Sequence, residues 1–200
     1  MRRRLIALLA LLVAASPVAA LAASTDVADL KGGTYVLDPK HTHVTARVLH
    51  FGVAYFLVRF DTKTGTFTYD PDHPEAAHVE ASVDTGSLDA NGDFSSKFAE
   101  EFLAATKFPK MTFVSTEIHK GAGGAGTMTG NLTLRGVTRP VTFDVAFVGV
   151  GRNPLPPFNA IAGFTATAKI KRSDFGSDFL NNGLVGDEVA ITIDAEFDRK

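Results

Sequence analysis

The chain has 200 residues, with 20 basic and 22 acidic side chains, a formal net charge of −2, no cysteine and no tryptophan. That balance lacks the basic stripe of a nucleic-acid binder, and without cysteine there is no disulfide framework and no thiolate nucleophile. Its 16 phenylalanines against 3 tyrosines give much apolar surface with no polar tip to satisfy, which suits a dry interior.

The first residues carry an address. Met1-Arg2-Arg3-Arg4 is basic, residues 5–15 are apolar, and Ala20-Leu21-Ala22 is a small-x-small cleavage site. These are the three parts of a secretory signal peptide, so export to the periplasm is expected. The apolar run is shorter than the ~20 residues needed to span a bilayer. Cleavage after Ala22 would leave 178 residues and move the charge from −2 (20 basic, 22 acidic) to −5 (17 basic, 22 acidic). That is one domain's length. Residues 23–33 are small and polar and read as a tether, leaving 34–200 as the domain.

Alternation of apolar and polar residues then dominates. Val141, Phe143, Val145 and Phe147 fall on one strand face, with Thr142, Asp144 and Ala146 on the other. Phe164, Ala166, Ala168 and Ile170, and later Val189, Ile191, Ile193 and Phe197, repeat the period of two. Strands are expected over 34–37, 42–51, 54–60, 65–69, 77–85, 110–118, 126–134, 137–150, 160–171 and 188–197. Turn signals separate them at Asp38-Pro39, Lys63-Thr64-Gly65, Asp70-Pro71-Asp72, 121–126 and Arg135-Gly136. One segment breaks the period. Phe94, Phe98 and Phe102 sit four apart, which predicts an amphipathic helix of about three turns, capped by Asn91 or Asp93. Residues 173–179 suggest a short helix or turn, and the prolines of 153–157 a loop. The chain is therefore expected to be all-β with a short helix: an antiparallel up-and-down barrel of about eight strands.

An outer-membrane barrel also alternates, apolar outside. Against it stand the near-absence of aromatic girdle residues, the charged end Asp198-Arg199-Lys200, and the rows Thr192, Asp194, Glu196 and Asp198, which a small lumen could hardly enclose. The apolar face is expected inside. Gly130, Gly149 and Gly163 on apolar rows either open a channel or let phenylalanine rings interdigitate.

Specific motifs sharpen this reading. Tyr35-Val36-Leu37-Asp38-Pro39-Lys40-His41-Thr42 followed by His50, then Phe108-Pro109-Lys110-Met111-Thr112-Phe113, then Gly130-Asn131-Leu132-Thr133-Leu134-Arg135-Gly136-Val137-Thr138, then Arg172-Ser173-Asp174-Phe175-Gly176 resemble, in order, the signatures of the YceI-like family. The resemblance spans the mature chain. It implies an exported lipocalin-like barrel that holds a polyisoprenoid in its lumen, with no catalytic activity and no cofactor beyond the bound lipid. Two departures stand out: Val58 replaces the usual glycine before Arg59-Phe60, and Asn91-Gly92-Asp93-Phe94 replaces a basic stretch.

On that reading Val44, Val48, Phe56, Phe67, Phe113, Leu132, Phe143, Val145, Phe147, Phe164, Ile191 and Ile193 line a tunnel, or serve only as core, which sequence does not separate. Phe98 and Phe102 gate its mouth or staple the helix down. Arg172 meets a ligand phosphate at the rim, or forms with Asp174 a network fixing the last turn. His41, His43 and His50 invite a metal. His50 falls at odd spacing from the other two, and a catalytic zinc wants three protein ligands, so no metal is expected and His41 is better read as bonding backbone. No Gly-x-Ser-x-Gly elbow or phosphate-cradling loop supports an enzyme. The expected partner is an isoprenoid lipid, with no nucleic acid, no membrane span and at most transient contact with a membrane or envelope proteins. The rival to the carrier is a filled barrel whose 153–158 loop docks another protein.

Overall fold

The computed structural model describes residues 23–200. The signal peptide expected over 1–22 lies outside the described residues. Eleven strands form one antiparallel sheet: β1 (Gly33–Leu37), β2 (His43–His50), β3 (Ala54–Phe60), β4 (Lys63–Tyr69), β5 (His78–Asp84), β6 (Leu88–Asp89), β7 (Lys110–Lys120), β8 (Ala125–Leu134), β9 (Val137–Arg152), β10 (Ala160–Lys171) and β11 (Val185–Arg199). Among the described residues one α-helix, α1 (Ser95–Leu103), lies between β6 and β7.

The ring closes as β1-β4-β5-β7-β8-β9-β10-β11 and back to β1, an eight-stranded barrel. The remaining strands branch from it. The long β11 shares one edge between two partners: Phe197–Arg199 pair with β1, while Val185–Asp194 pair with β2. β3 pairs with β2, and the two-residue β6 with β3. The barrel is thus an eight-stranded ring at the β1 end and opens at the other end into a β2–β3–β6 flap, with α1 beside it.

The polar rows face outward. Thr129 and Thr142 hydroxyls meet at 2.8 Å, Thr133 and Thr138 at 2.8 Å, and the Thr165 hydroxyl donates to Asp194 at 2.9 Å. Inward rows form three apolar groups. One surrounds Phe113, Leu132, Phe143 and Phe175. A second, at the β1 end, joins Tyr35, Leu37, Phe67 and Phe197, with Phe67 against Phe164 at 5.4 Å between ring centroids. A third packs the buried Ala99 of α1 against Val44, Phe60 and Leu88.

Several expectations are corrected here. Residues 23–33 are no loose tether: Ser24 and Val150 exchange two backbone hydrogen bonds of 2.8 Å, and Leu30 is 2% exposed beneath the barrel. A few apolar residues in a polar segment sufficed to dock it. Lys63-Thr64-Gly65 is not a turn but the start of β4, paired with Val83, Ser82 and Ala81. Neither Asn91 nor Asp93 caps α1. Phe94 holds that position without a side-chain bond, and the Ser95 hydroxyl accepts the Ala90 N–H at 2.9 Å instead.

Of the glycines on apolar rows, Gly130 and Gly149 serve close packing, while a Cβ on Gly163 would make only ordinary contacts. A Cβ on Gly130 would strike the Phe113 ring and the Val114 carbonyl oxygen, and one on Gly149 would approach the Ser24 carbonyl oxygen to 3.0 Å. Arg135 and Gly136 both have positive φ, 53° and 74°. That pairing makes the two-residue turn that matches strand twist between β8 and β9.

Candidate ligand-binding cavity

The barrel is not filled. A cavity of about 440 Å³ runs along its axis from Val27 and Leu30 at the β1 end to His50, Phe98 and Leu180 at the other. Packed interiors leave few voids larger than a water molecule, so a hollow of this size is a feature to explain. The filled-barrel alternative does not fit it. Many inward-facing side chains, Phe56, Phe98, Phe164, Ile191 and Ile193 among them, keep partial exposure because they face this space rather than a neighbour.

All of the apolar positions singled out from sequence border the cavity: Val44, Val48, Phe56, Phe67, Phe98, Phe102, Phe113, Leu132, Phe143, Val145, Phe147, Phe164, Ile191 and Ile193. The strand period places the twelve strand residues there, and helical spacing places Phe98 and Phe102 on α1. Gly130, Gly149 and Gly163 do not border it. Sequence reasoning missed Val27 and Leu30 from the segment read as a tether, Met111 and Leu103 near α1, and Lys63. Lys63 is a buried cation in the wall, its ammonium donating to the Phe60 and Asp61 carbonyls at 3.4 and 3.3 Å. Val58, the departure from the family pattern, borders the cavity.

α1 lies across the flap end. Phe98 packs edge-on against Phe56 at 5.9 Å between centroids, and Phe102 against Phe179 at 5.2 Å. The same two rings that hold the helix down also border the lumen, so staple and gate are one contact. Its C-terminus is latched: the Phe102 carbonyl accepts from the Arg135 guanidinium at 3.1 Å and from the Ser177 hydroxyl at 2.8 Å.

Arg172 corrects one expectation. It is 4% exposed, and its donors go to the carbonyls of Gly186 (2.9 Å), Ser177 (2.7 Å), Phe179 (2.8 Å) and Val185 (3.0 Å), with Asn181 Oδ1 at 3.5 Å. A guanidinium has five N–H donors, so none is left for a phosphate. Arg172 instead folds the connection between β10 and β11 around itself. Burial lowers its pKa, opposed by Asp187 and Asp178. The acid in this network is Asp187, not Asp174. Partial burial works to raise Asp187, but the Ser173 N–H and hydroxyl, at 2.9 and 2.8 Å, outweigh it and hold the carboxyl below its ordinary range.

The three histidines do not converge. His50 stacks on Phe51 at 3.8 Å at the flap tip, and His43 is exposed at the start of β2. His41 lies in the turn before β2, and its Nδ1 meets Asp38 Oδ2 at 2.7 Å and Glu196 Oε1 at 3.5 Å. Its partner is a carboxylate rather than backbone. Hydrogen bonding to Asp38 and its charge raise the His41 pKa. Burial pulls Asp38 up, yet hydrogen bonds from His41 and the Lys40 N–H bring it below its ordinary value. This turn ends β1 and starts β2: Thr42, fully buried, accepts the Glu196 N–H at 3.1 Å through its hydroxyl.

The family model described as a YceI-like domain matches residues 35–197. The chain belongs to the YceI-like family. A UPF0312 protein of Shewanella sp. (strain ANA-3) is 38% identical over 173 residues, 84% of this chain and 86% of that one. Among solved structures, BcnA of Burkholderia cenocepacia superposes with a TM-score of 0.69 at 23% identity, over 80% of this chain and 98% of that one. A polyisoprenoid binding domain from Saccharophagus degradans superposes with a TM-score of 0.61 at 13% identity, over 85% and 100%. At that identity the likeness is one of fold.

Proposed function

We propose that this YceI-like chain is an exported periplasmic carrier that holds one long polyisoprenoid, such as a prenyl quinone or polyprenyl lipid, in its lumen without chemical change. The observation that carries this reading is the long axial cavity walled overwhelmingly by apolar side chains. The fold it shares with a polyisoprenoid binding domain supports the ligand class, and the signal-peptide pattern of residues 1–22 supports the compartment.

Energetics favour a long chain over a short one. At about 0.8 kcal/mol per buried CH₂, a five-carbon unit contributes about 4 kcal/mol before ordering losses. Association itself costs roughly 4–15 kcal/mol, so one or two units bind poorly and several bind well. An apolar lumen recognises methyl-branched hydrocarbon by length and shape, and no acid, base or nucleophile of an enzyme is needed for that.

Calorimetric titration of the mature protein with prenyl alcohols of increasing length tests the reading. Affinity should climb steeply with each unit until the lumen is full and then level off. Equal affinity at every length, or none at any length, refutes it.

A further inference from the structure

The β2–β3 hairpin ends in a bare apolar tip. Val53 is 82% exposed, Tyr55 63%, Phe51 56% and Leu57 50%, with Leu49 and Leu184 beside them. Turn geometry does not explain Phe51, whose φ of 53° favours glycine or asparagine over an aromatic residue. A solvent-facing loop gains nothing from these side chains.

The tip is joined to the cavity. The Phe51 ring stacks on His50 at 3.8 Å, His50 lies 6.0 Å from Phe56, and Phe56 lies 5.9 Å from Phe98. His50, Phe56 and Phe98 all border the lumen, so one aromatic track leads from the outside of the flap to the inside of the barrel.

Charge follows the same pattern. His43–Phe60 contains Arg47 and Arg59 but no aspartate or glutamate, in a chain that carries 22 acidic residues. Arg59 is paired with Asp61 and Asp89 at the end of the hairpin away from the tip. Arg47 forms no ion pair among the described residues and lies 4.6 Å above the Tyr55 ring. An aromatic ring under a snorkelling arginine suits the boundary between hydrocarbon and anionic head groups.

We propose that this tip inserts into the surface of an anionic lipid bilayer and sets the flap mouth against it. A stable protein interface takes roughly 20–30 residues a side, whereas the projecting tip offers six apolar side chains, which matches shallow insertion into lipid. The surface stands on its own geometry. Its consequence rests on the carrier reading: a prenyl chain would pass from the acyl layer along the aromatic track without crossing water.

Vesicle flotation of the full mature chain tests this, with phosphatidylcholine alone and with phosphatidylcholine mixed with phosphatidylglycerol. The wild type should float with the mixed vesicles and more weakly with the neutral ones. The double variant Val53→Asp/Leu57→Ser, at two exposed tip residues outside the aromatic track, should lose about tenfold or more in partitioning. Leu155→Asp is the control: Leu155 is 69% exposed in the loop between β9 and β10, at the opposite end of the barrel, and its loss should change nothing. Thermal unfolding and uptake of a long prenyl alcohol from detergent micelles keep the variants interpretable, and both should match the wild type. Wild-type protein that stays with neither vesicle, a double variant that floats undiminished, or an equal loss in Leu155→Asp overturns the proposal. Flotation that persists while micelle uptake is absent supports the docking surface and counts against the carrier reading alone.

Discussion

Replacing Ala166 by phenylalanine separates a hollow barrel from a packed one. Ala166 lies on β10 opposite Ile193 of β11 and Val145 of β9, and all three border the cavity. A phenyl ring there enters the axial path and displaces about six ligand carbons. At about 0.8 kcal/mol per buried CH₂ the loss reaches up to about 5 kcal/mol, more than a thousandfold in affinity. The folded protein gains instead, because the ring fills a void at about 24 cal/mol per Å³ of cavity removed. A gain of about 1–2 kcal/mol corresponds to a Tm rise of about 2–8 °C for a domain this size. The chain has no tryptophan, so affinity is read by calorimetry and stability by scanning calorimetry. A variant that binds like the wild type refutes an axial ligand. One that unfolds refutes the hollow lumen, since overpacking destabilises only where no space exists.

Other perturbations test the surrounding frame. Arg172→Met should destabilise by at least about 3 kcal/mol in denaturant titration, because several carbonyls lose their donor at about 1–3 kcal/mol each. Arg172→Lys should restore only part of this, an ammonium having three donors and no fork. Gly130→Ala should cost about 1–3 kcal/mol and lower Tm, since the new methyl meets the Phe113 ring and the Val114 carbonyl oxygen. By NMR titration His41 should show a pKa above its ordinary 6.5, falling back toward it in Asp38→Asn. The pair's contribution to stability is lost as pH rises through the raised His41 pKa. It is lost again as pH falls through the Asp38 pKa, which lies below 3.8.

Local period carried most of the architecture. The β9, β10 and β11 rows alternate so cleanly that strand faces, and therefore the wall of the lumen, follow from side-chain spacing. The helix announced itself through Phe94, Phe98 and Phe102. What escaped was set by distant partners. Nothing near β11 tells that its edge is divided between β1 and β2, because those strands lie some 150 residues away in sequence (Ile193 pairs with Val44, Phe197 with Leu37). β6 is two residues long, below any periodic signal. Leu30 looked incidental in a polar segment, and only the closed barrel base gives it a place. Arg172 resembled a phosphate ligand because a guanidinium serves anions and carbonyls alike, and which one it meets depends on how the β10–β11 connection folds around it. The acid of that network, Asp187, sits on β11 and was invisible to a reading of neighbouring residues.

The most direct measurement is native mass spectrometry, with solvent extraction, of the mature protein purified from its own host. Bound species whose masses step by isoprene units are expected, released on unfolding and absent from the Ala166→Phe variant. Protein recovered empty, and still empty after incubation with long prenyl lipids, contradicts a lumen built to hold them.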